Sequence, residues 1–141
     1  MLLPKKVKFR KWQTGRVNPA KKSVATRGAT LSYGSFGLKA ETGARLKSNQ
    51  IESARKAMSH ELKKAGRIWI RVFPDRPFTA KPAEVGMGKG KGDPQGYQVI
   101  VKPGRMLFEV DGISDEIARI TLKKAAAKMP MKTRMVRRTH V

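Results

Sequence analysis

The chain has no cysteine, which excludes disulfides and thiolate metal sites. It has only two histidines, His60 and His140, and no HExxH run or other spaced ligand set, so a side-chain metal centre lacks donors. Acids are scarce: 10 Asp and Glu stand against 32 Lys and Arg, for a formal net charge of +22 and a pI near 11.1. These few acids form no catalytic grouping, because Asp115 and Glu116 suit the positive end of a helix and Glu52 suits a helix cap. No apolar run approaches the roughly 20 residues that span a bilayer. The start MLLPKKVKFRKW places leucines before cations, the reverse of a secretory signal. No catalytic residue, metal, cofactor or membrane partner is expected.

What the chain does have is positive charge, and self-repulsion on this scale opposes compaction unless a polyanion neutralises it. Nucleic acid is the first candidate partner. Residues 1–30 hold nine cations (Lys5, Lys6, Lys8, Arg10, Lys11, Arg16, Lys21, Lys22, Arg27) and no acid, and read as a basic extended arm. A nucleic-acid contact and a plain solubility tail both fit that pattern, though solubility favours added acids over added lysines. Trp12, an indole among cations, fits stacking on a base and packing back on the domain equally well.

Residues 31–141 read as one α+β domain, two amphipathic helices on an antiparallel or mixed sheet. The length allows a core that buries about two thirds of the unfolded chain's surface. Residues 31–40, LSYGSFGLKA, suggest a short strand with a bulge or a close backbone approach at its glycines. The first helix is expected over residues 49–65, with Asn49 as N-cap, Glu52 completing a capping box and Gly66 as the stop. Its apolar stripe would be Ile51, Ala54, Met58, Leu62 and Ala65. Its basic residues, Arg55, Lys56, Lys63 and Lys64, fit either a phosphate-binding face or a solvated one. RIWIRVF over residues 67–73 reads as a strand ended by Pro74. Residues 74–96 carry four prolines and read as a long loop. Residues 97–101 and 106–110 read as strands joined by Lys102, Pro103, Gly104 and Arg105 in a tight antiparallel hairpin. The second helix is expected over residues 114–129, capped by Ser114, with Ile117, Leu122, Ala125 and Met129 buried and Pro130 as the stop. A last strand through Met135 and Val136 would point Arg134, Arg137 and Arg138 outward.

The loop contains GMGKGKG at residues 86–92, which is not a nucleotide cradle. Counting GxxxxGK from Gly86 puts Lys91 where a glycine belongs, and the glycines at Gly88, Gly90 and Gly92 repeat every second residue instead of following GxGxxG. What remains is bare backbone able to approach a large anion, carrying two cations on long stems. Scattered basic elements suit folded RNA better than regular DNA. Charge alone leaves a nucleoid-type DNA binder as the runner-up, and an RNA-modifying enzyme would need a catalytic constellation that the residues do not supply.

Several runs together, LLPKKVKFRK, YGSFGLKA, QIESARKAM, GRIWIRVFPDRPFTAKPAEVGMGKGKG, PGRMLFEVDGI and KAAAKMPMKT, resemble the L sixteen family of bacterial-type large-subunit ribosomal proteins. The WIRVFP run followed by MGKGKG is the most specific part. The resemblance implies a non-enzymatic α+β protein of the cytoplasmic ribosome, partnered by large-subunit ribosomal RNA, tRNA and neighbouring ribosomal proteins, with no homo-oligomer. It implies a place near the A site and the adjoining P site, and a role in late subunit assembly. The cations expected on RNA are Lys5, Lys6, Lys8, Arg10, Lys11, Arg16, Lys39, Arg55, Arg71, Arg76 and Lys81. Met87, Gly88, Lys89, Gly90, Lys91 and Gly92 would form a loop near tRNA. The chain departs from the family pattern at Gly86, where arginine is usual, and at Tyr97, where tryptophan is usual. The segment 17–32 looks longer than in some members.

Overall fold

The structure, a computed structural model, describes residues 1–13, 15, 20–21, 23–86, 88 and 90–139. Among these the elements run β1 (Phe36–Ala40), β2 (Ala44–Lys47), α1 (Ser48–Leu62), β3 (Arg67–Ile70), β4 (Arg76–Ala80), β5 (Asp93–Val101), β6 (Met106–Asp111), α2 (Asp115–Ala126) and β7 (Thr133–Arg137). The strands make two antiparallel sheets, a larger one in the order β3-β6-β1-β7 and a smaller one in the order β2-β5-β4. The α+β expectation therefore holds, with two sheets in place of one.

Both helices pack on each other, with α1 touching β2, β3 and β5 while α2 covers β1 and β7. The burial of Ile51, Ala54, Met58 and Leu62 on α1 follows their helical spacing, and these side chains meet Phe108 and Val110 of β6 in one core. β6, read as MLFEVD, is buried along five of its six residues because it lies inside the larger sheet with both faces covered.

Several expected boundaries move. Helix α1 starts one residue before Asn49, its N-cap is Lys47, and the Lys47 N–H donates to the Gln50 side chain at 2.9 Å. Glu52 is taken by Arg55 at 2.5 Å instead of by a cap. The helix ends at Leu62, where Lys63 adopts φ 57°, so Ala65 is exposed and Gly66, at φ 79°, serves the turn that follows. On α2 the Ser114 cap accepts from the Ile117 N–H at 3.5 Å. Ile117 is exposed there, while Ala118 and Thr121 take the buried positions with Leu122 and Ala125.

The loop expected over 74–96 contains β4 and the start of β5, and β2 has no counterpart in the sequence reading. The hairpin is also corrected. β5 and β6 do not pair; the chain leaves the smaller sheet at Val101 and enters the larger one at Met106. Gly104, at φ 95°, turns this corner, and its N–H donates to the Ala40 carbonyl at 2.7 Å. The Ala25 N–H donates to Pro103 O at 2.9 Å and the Met106 N–H to Gly28 O at 2.7 Å, so residues from the first thirty brace the corner.

The expected bulge in β1 falls between Leu38 and Lys39, and the close approach occurs at Gly34 and Gly37. A Cβ on Gly34 would sit 2.6 Å from the Val110 carbonyl oxygen, and one on Gly37 would meet Leu31 at 2.5 Å. The segment 31–35 thus lies against the face of the larger sheet that the helices leave open.

Candidate nucleic-acid interface

Ion pairing leaves most of the cations uncompensated. Among the described residues Glu52 holds Arg55, Glu61 holds Lys124, Glu109 holds Arg71, and Asp115 holds Arg119 at 3.0 Å and Arg137 at 2.9 Å. The Arg55 hydrogen bond, with the charges of Arg55 and the chain's amino terminus behind it, pushes the Glu52 carboxyl down to about 2. Such exposed pairs contribute little to stability, and their effect here is to remove Arg55 from the free positive surface.

Glu109 is different. Its side chain is fully buried, and Oε1 accepts the N–H groups of Ser32, Tyr33 and Gly34 at 2.9, 2.9 and 3.1 Å, while Oε2 takes the Arg71 guanidinium. Burial alone would raise this carboxyl. The Gly34 and Tyr33 N–H groups, Arg71 and the Ser32 N–H outweigh it and hold the group below the usual carboxylate range. Arg71 also donates to Thr30 O at 3.2 Å, so its guanidinium is engaged within the fold.

Five of the uncompensated cations, Lys11, Arg45, Lys47, Arg76 and Lys91, meet at the smaller sheet. Arg45 and Lys47 flank buried Leu46 on β2 and, with a strand's period of two, point to the opposite face. Lys47, Gln98 and Arg76 lie side by side across the three strands. Phe78, two residues beyond Arg76, lays its ring over Gly96, where a Cβ would come within 3.0 Å, and the Lys47 ammonium stands 5.0 Å from that ring. Residues from the N-terminal stretch dock at the same place. The Arg76 guanidinium sits 5.6 Å from the Trp12 ring and donates to Gln13 O at 3.1 Å. The Lys91 ammonium donates to Trp12 O, and the Lys11 ammonium donates to Lys91 O at 3.3 Å. A cleft of about 60 Å³ lies between Trp12, Arg45, Arg76, Phe78, Lys91 and Gln98. Among the described residues none of Lys11, Arg45, Lys47, Arg76 and Lys91 pairs with a carboxylate.

This brings together two cations expected on RNA (Lys11, Arg76), Lys91 of the loop expected near tRNA, and Trp12, and adds Arg45, Lys47 and Phe78. The R-x-K alternation around Leu46 was the signal for the added pair. Lys5, Lys6, Lys8 and Arg10 are exposed, in a stretch without helix or strand. Lys39 is half-buried on β1 beside a groove that it shares with Arg137 and Arg138. The Lys81 ammonium donates to Gly88 O. Gly88 and Gly90 adopt φ 99° and 90° with open space around them, so backbone conformation rather than crowding calls for glycine there. At Gly92 crowding does, since a Cβ would fall 2.7 Å from the Ala80 backbone. Arg16, Met87 and Lys89 lie outside the described residues.

Among the described residues no group of acids and histidines could hold a metal ion, and no helix is long and apolar enough to cross a membrane. Fold and charge define a basic α+β protein that displays cations and aromatic rings together on a sheet surface. A family model described as ribosomal protein L16p/L10e matches residues 4–136. Curated relatives named large ribosomal subunit protein uL16 include those of Afipia carboxidovorans, 56% identical over 98% of both chains, and of Rhodopseudomonas palustris strain BisB18, 54% identical over 98% of both. The chain belongs to the ribosomal protein L16p/L10e family.

Proposed function

We propose that this chain is a non-enzymatic structural component of the large ribosomal subunit in the cytoplasmic ribosome, bound to large-subunit ribosomal RNA beside other ribosomal proteins. Residues 1–30 act as the basic arm, residues 31–141 as one RNA-binding domain, and residues 86–92 as the element directed at tRNA near the A site and the adjoining P site. Binding there supports subunit assembly and translation. The observation that carries this reading is the meeting of Lys11, Trp12, Arg76 and Lys91 on the smaller sheet, which joins the arm, the sheet and the glycine segment into one unpaired cationic surface. Phosphates neutralise such a surface, and the Trp12 and Phe78 rings offer stacking faces between the charges. Arg71, held by Glu109, serves the fold instead.

The test is binding of a large-subunit ribosomal RNA fragment to the full chain and to a triple variant, Lys11→Ala, Arg76→Ala and Lys91→Ala, over a range of salt. Losing three phosphate contacts flattens the plot of log K against log salt by roughly 2 to 3. An unchanged slope with unchanged melting would refute the assignment, as would equal preference for duplex DNA or absence from large-subunit fractions of a sucrose gradient.

A further inference from the structure

The smaller sheet does not account for every exposed ring. Trp69 lies on β3, an edge strand of the larger sheet, and sits beside Glu109 on the face turned away from the helices. Tyr33 stands next to it, 58% exposed, with ring centroids 6.0 Å apart and planes inclined by 16°. Arg67 lies 5.4 Å from the Trp69 ring and Arg71 lies 5.3 Å from the Tyr33 ring. The two rings stack nearly parallel, and a guanidinium stands over each of them.

We propose that Tyr33 and Trp69 form a second RNA contact, a platform on which one unpaired nucleobase stacks. The proposal rests on the RNA-binding reading above and concerns a different face of the fold. Its chemistry follows from three features. A base needs a flat π surface, and Tyr33, against the usual tendency of such residues to bury, stays 58% exposed with Trp69 and the Arg71 guanidinium beside its ring. A nucleotide also carries phosphate, and Arg67 pairs with no carboxylate among the described residues. Finally, the platform is fixed before any ligand arrives, because Glu109 holds both the Tyr33 N–H and Arg71 and so limits the ordering cost of binding. Rings beside guanidinium groups also serve protein interfaces, so the choice of a polyanion rests on the formal net charge of +22. Nucleic acid fits both the rings and the charge.

The chain has two tryptophans, Trp12 and Trp69, one at each surface, so emission reports on each separately. In full-length Trp12→Phe protein, short oligoadenylate is expected to quench Trp69, while an abasic oligonucleotide of equal length binds through its phosphates and leaves emission unchanged. Tyr33→Ala is expected to weaken oligoadenylate binding about tenfold, the scale of one lost base–aromatic stack, with abasic affinity unaltered. Oligoadenylate that binds without changing Trp69 emission, or an abasic strand that quenches equally, overturns the platform while sparing the RNA-binding reading. Failure of both strands to bind the parent protein overturns both. The two-strand comparison needs only the Trp12→Phe protein, so it stands even if Tyr33→Ala fails to fold.

Discussion

Replacing Glu109 by glutamine tests how the face opposite the helices is held. The carboxylate is fully buried, accepts three successive backbone N–H groups and faces Arg71, whose side chain is 15% exposed. Removing one member of a buried ion pair typically costs about 3–5 kcal/mol, because the other charge is left without a partner. The amide of Glu109→Gln keeps an oxygen for the N–H groups but turns donors toward a guanidinium that has only donors, so the loss should be about 3 kcal/mol. For a chain of this size that lowers the melting temperature by roughly 10 °C. The assay is thermal unfolding followed by near-ultraviolet circular dichroism, to which the Tyr33–Trp69 pair contributes. Because the folded Glu109 carboxyl titrates below its ordinary value of 4.5, its contribution is fully present above that pH and fades as pH falls through the folded value. The gap between parent and variant must therefore shrink in acid. The shifts of Glu52, Glu61 and Asp111 occur in both proteins and cancel in the difference. A variant melting within about 2 °C of the parent at neutral pH would refute the reasoning.

Two further substitutions test the local arguments. Gly34→Ala forces a methyl against the Val110 carbonyl and should cost about 1–3 kcal/mol in urea unfolding, whereas Gly86→Ala, with open space around it, should stay within about 0.5 kcal/mol. Equal effects at the two sites would contradict the contact geometry. Ser114→Ala should lower stability by about 0.5 kcal/mol, the low end for an N-cap because the bond to Ile117 is long, and hydrogen exchange in the first turn of α2 should rise.

The helices were legible because their apolar residues recur every three or four positions, and Ser114 announces its helix in the usual way. The start of α1 was not, since lysine is an unusual cap and Gln50 rather than a serine closes the turn. β2 offers one buried residue, Leu46, and β4 begins Arg-Pro between other prolines, so neither carries enough period to stand out from a loop. The hairpin was misread for a different reason: Pro103-Gly104 specifies a turn but not which sheet each strand joins, and that choice is made by distant partners. At the candidate site the cations were visible and their neighbours were not. Glu109 had a signal, a charge within the otherwise apolar run MLFEV, which requires an internal partner when both faces are covered.

The sheet-switching corner at residues 102–105 bears on how the chain reaches its fold. Its braces come from residues 25–28 and from Ala40, and central strand β1 (Phe36–Ala40) waits for β7 (Thr133–Arg137), far along the chain, as its second neighbour. Contacts so distant in sequence make for slow closure, since the intervening chain must be ordered before they form. A growing polypeptide therefore carries residues 25–28 without their corner partners until residue 106 has been made. Over that interval the nascent protein carries the positive charge of its first thirty residues without the corner that later braces them.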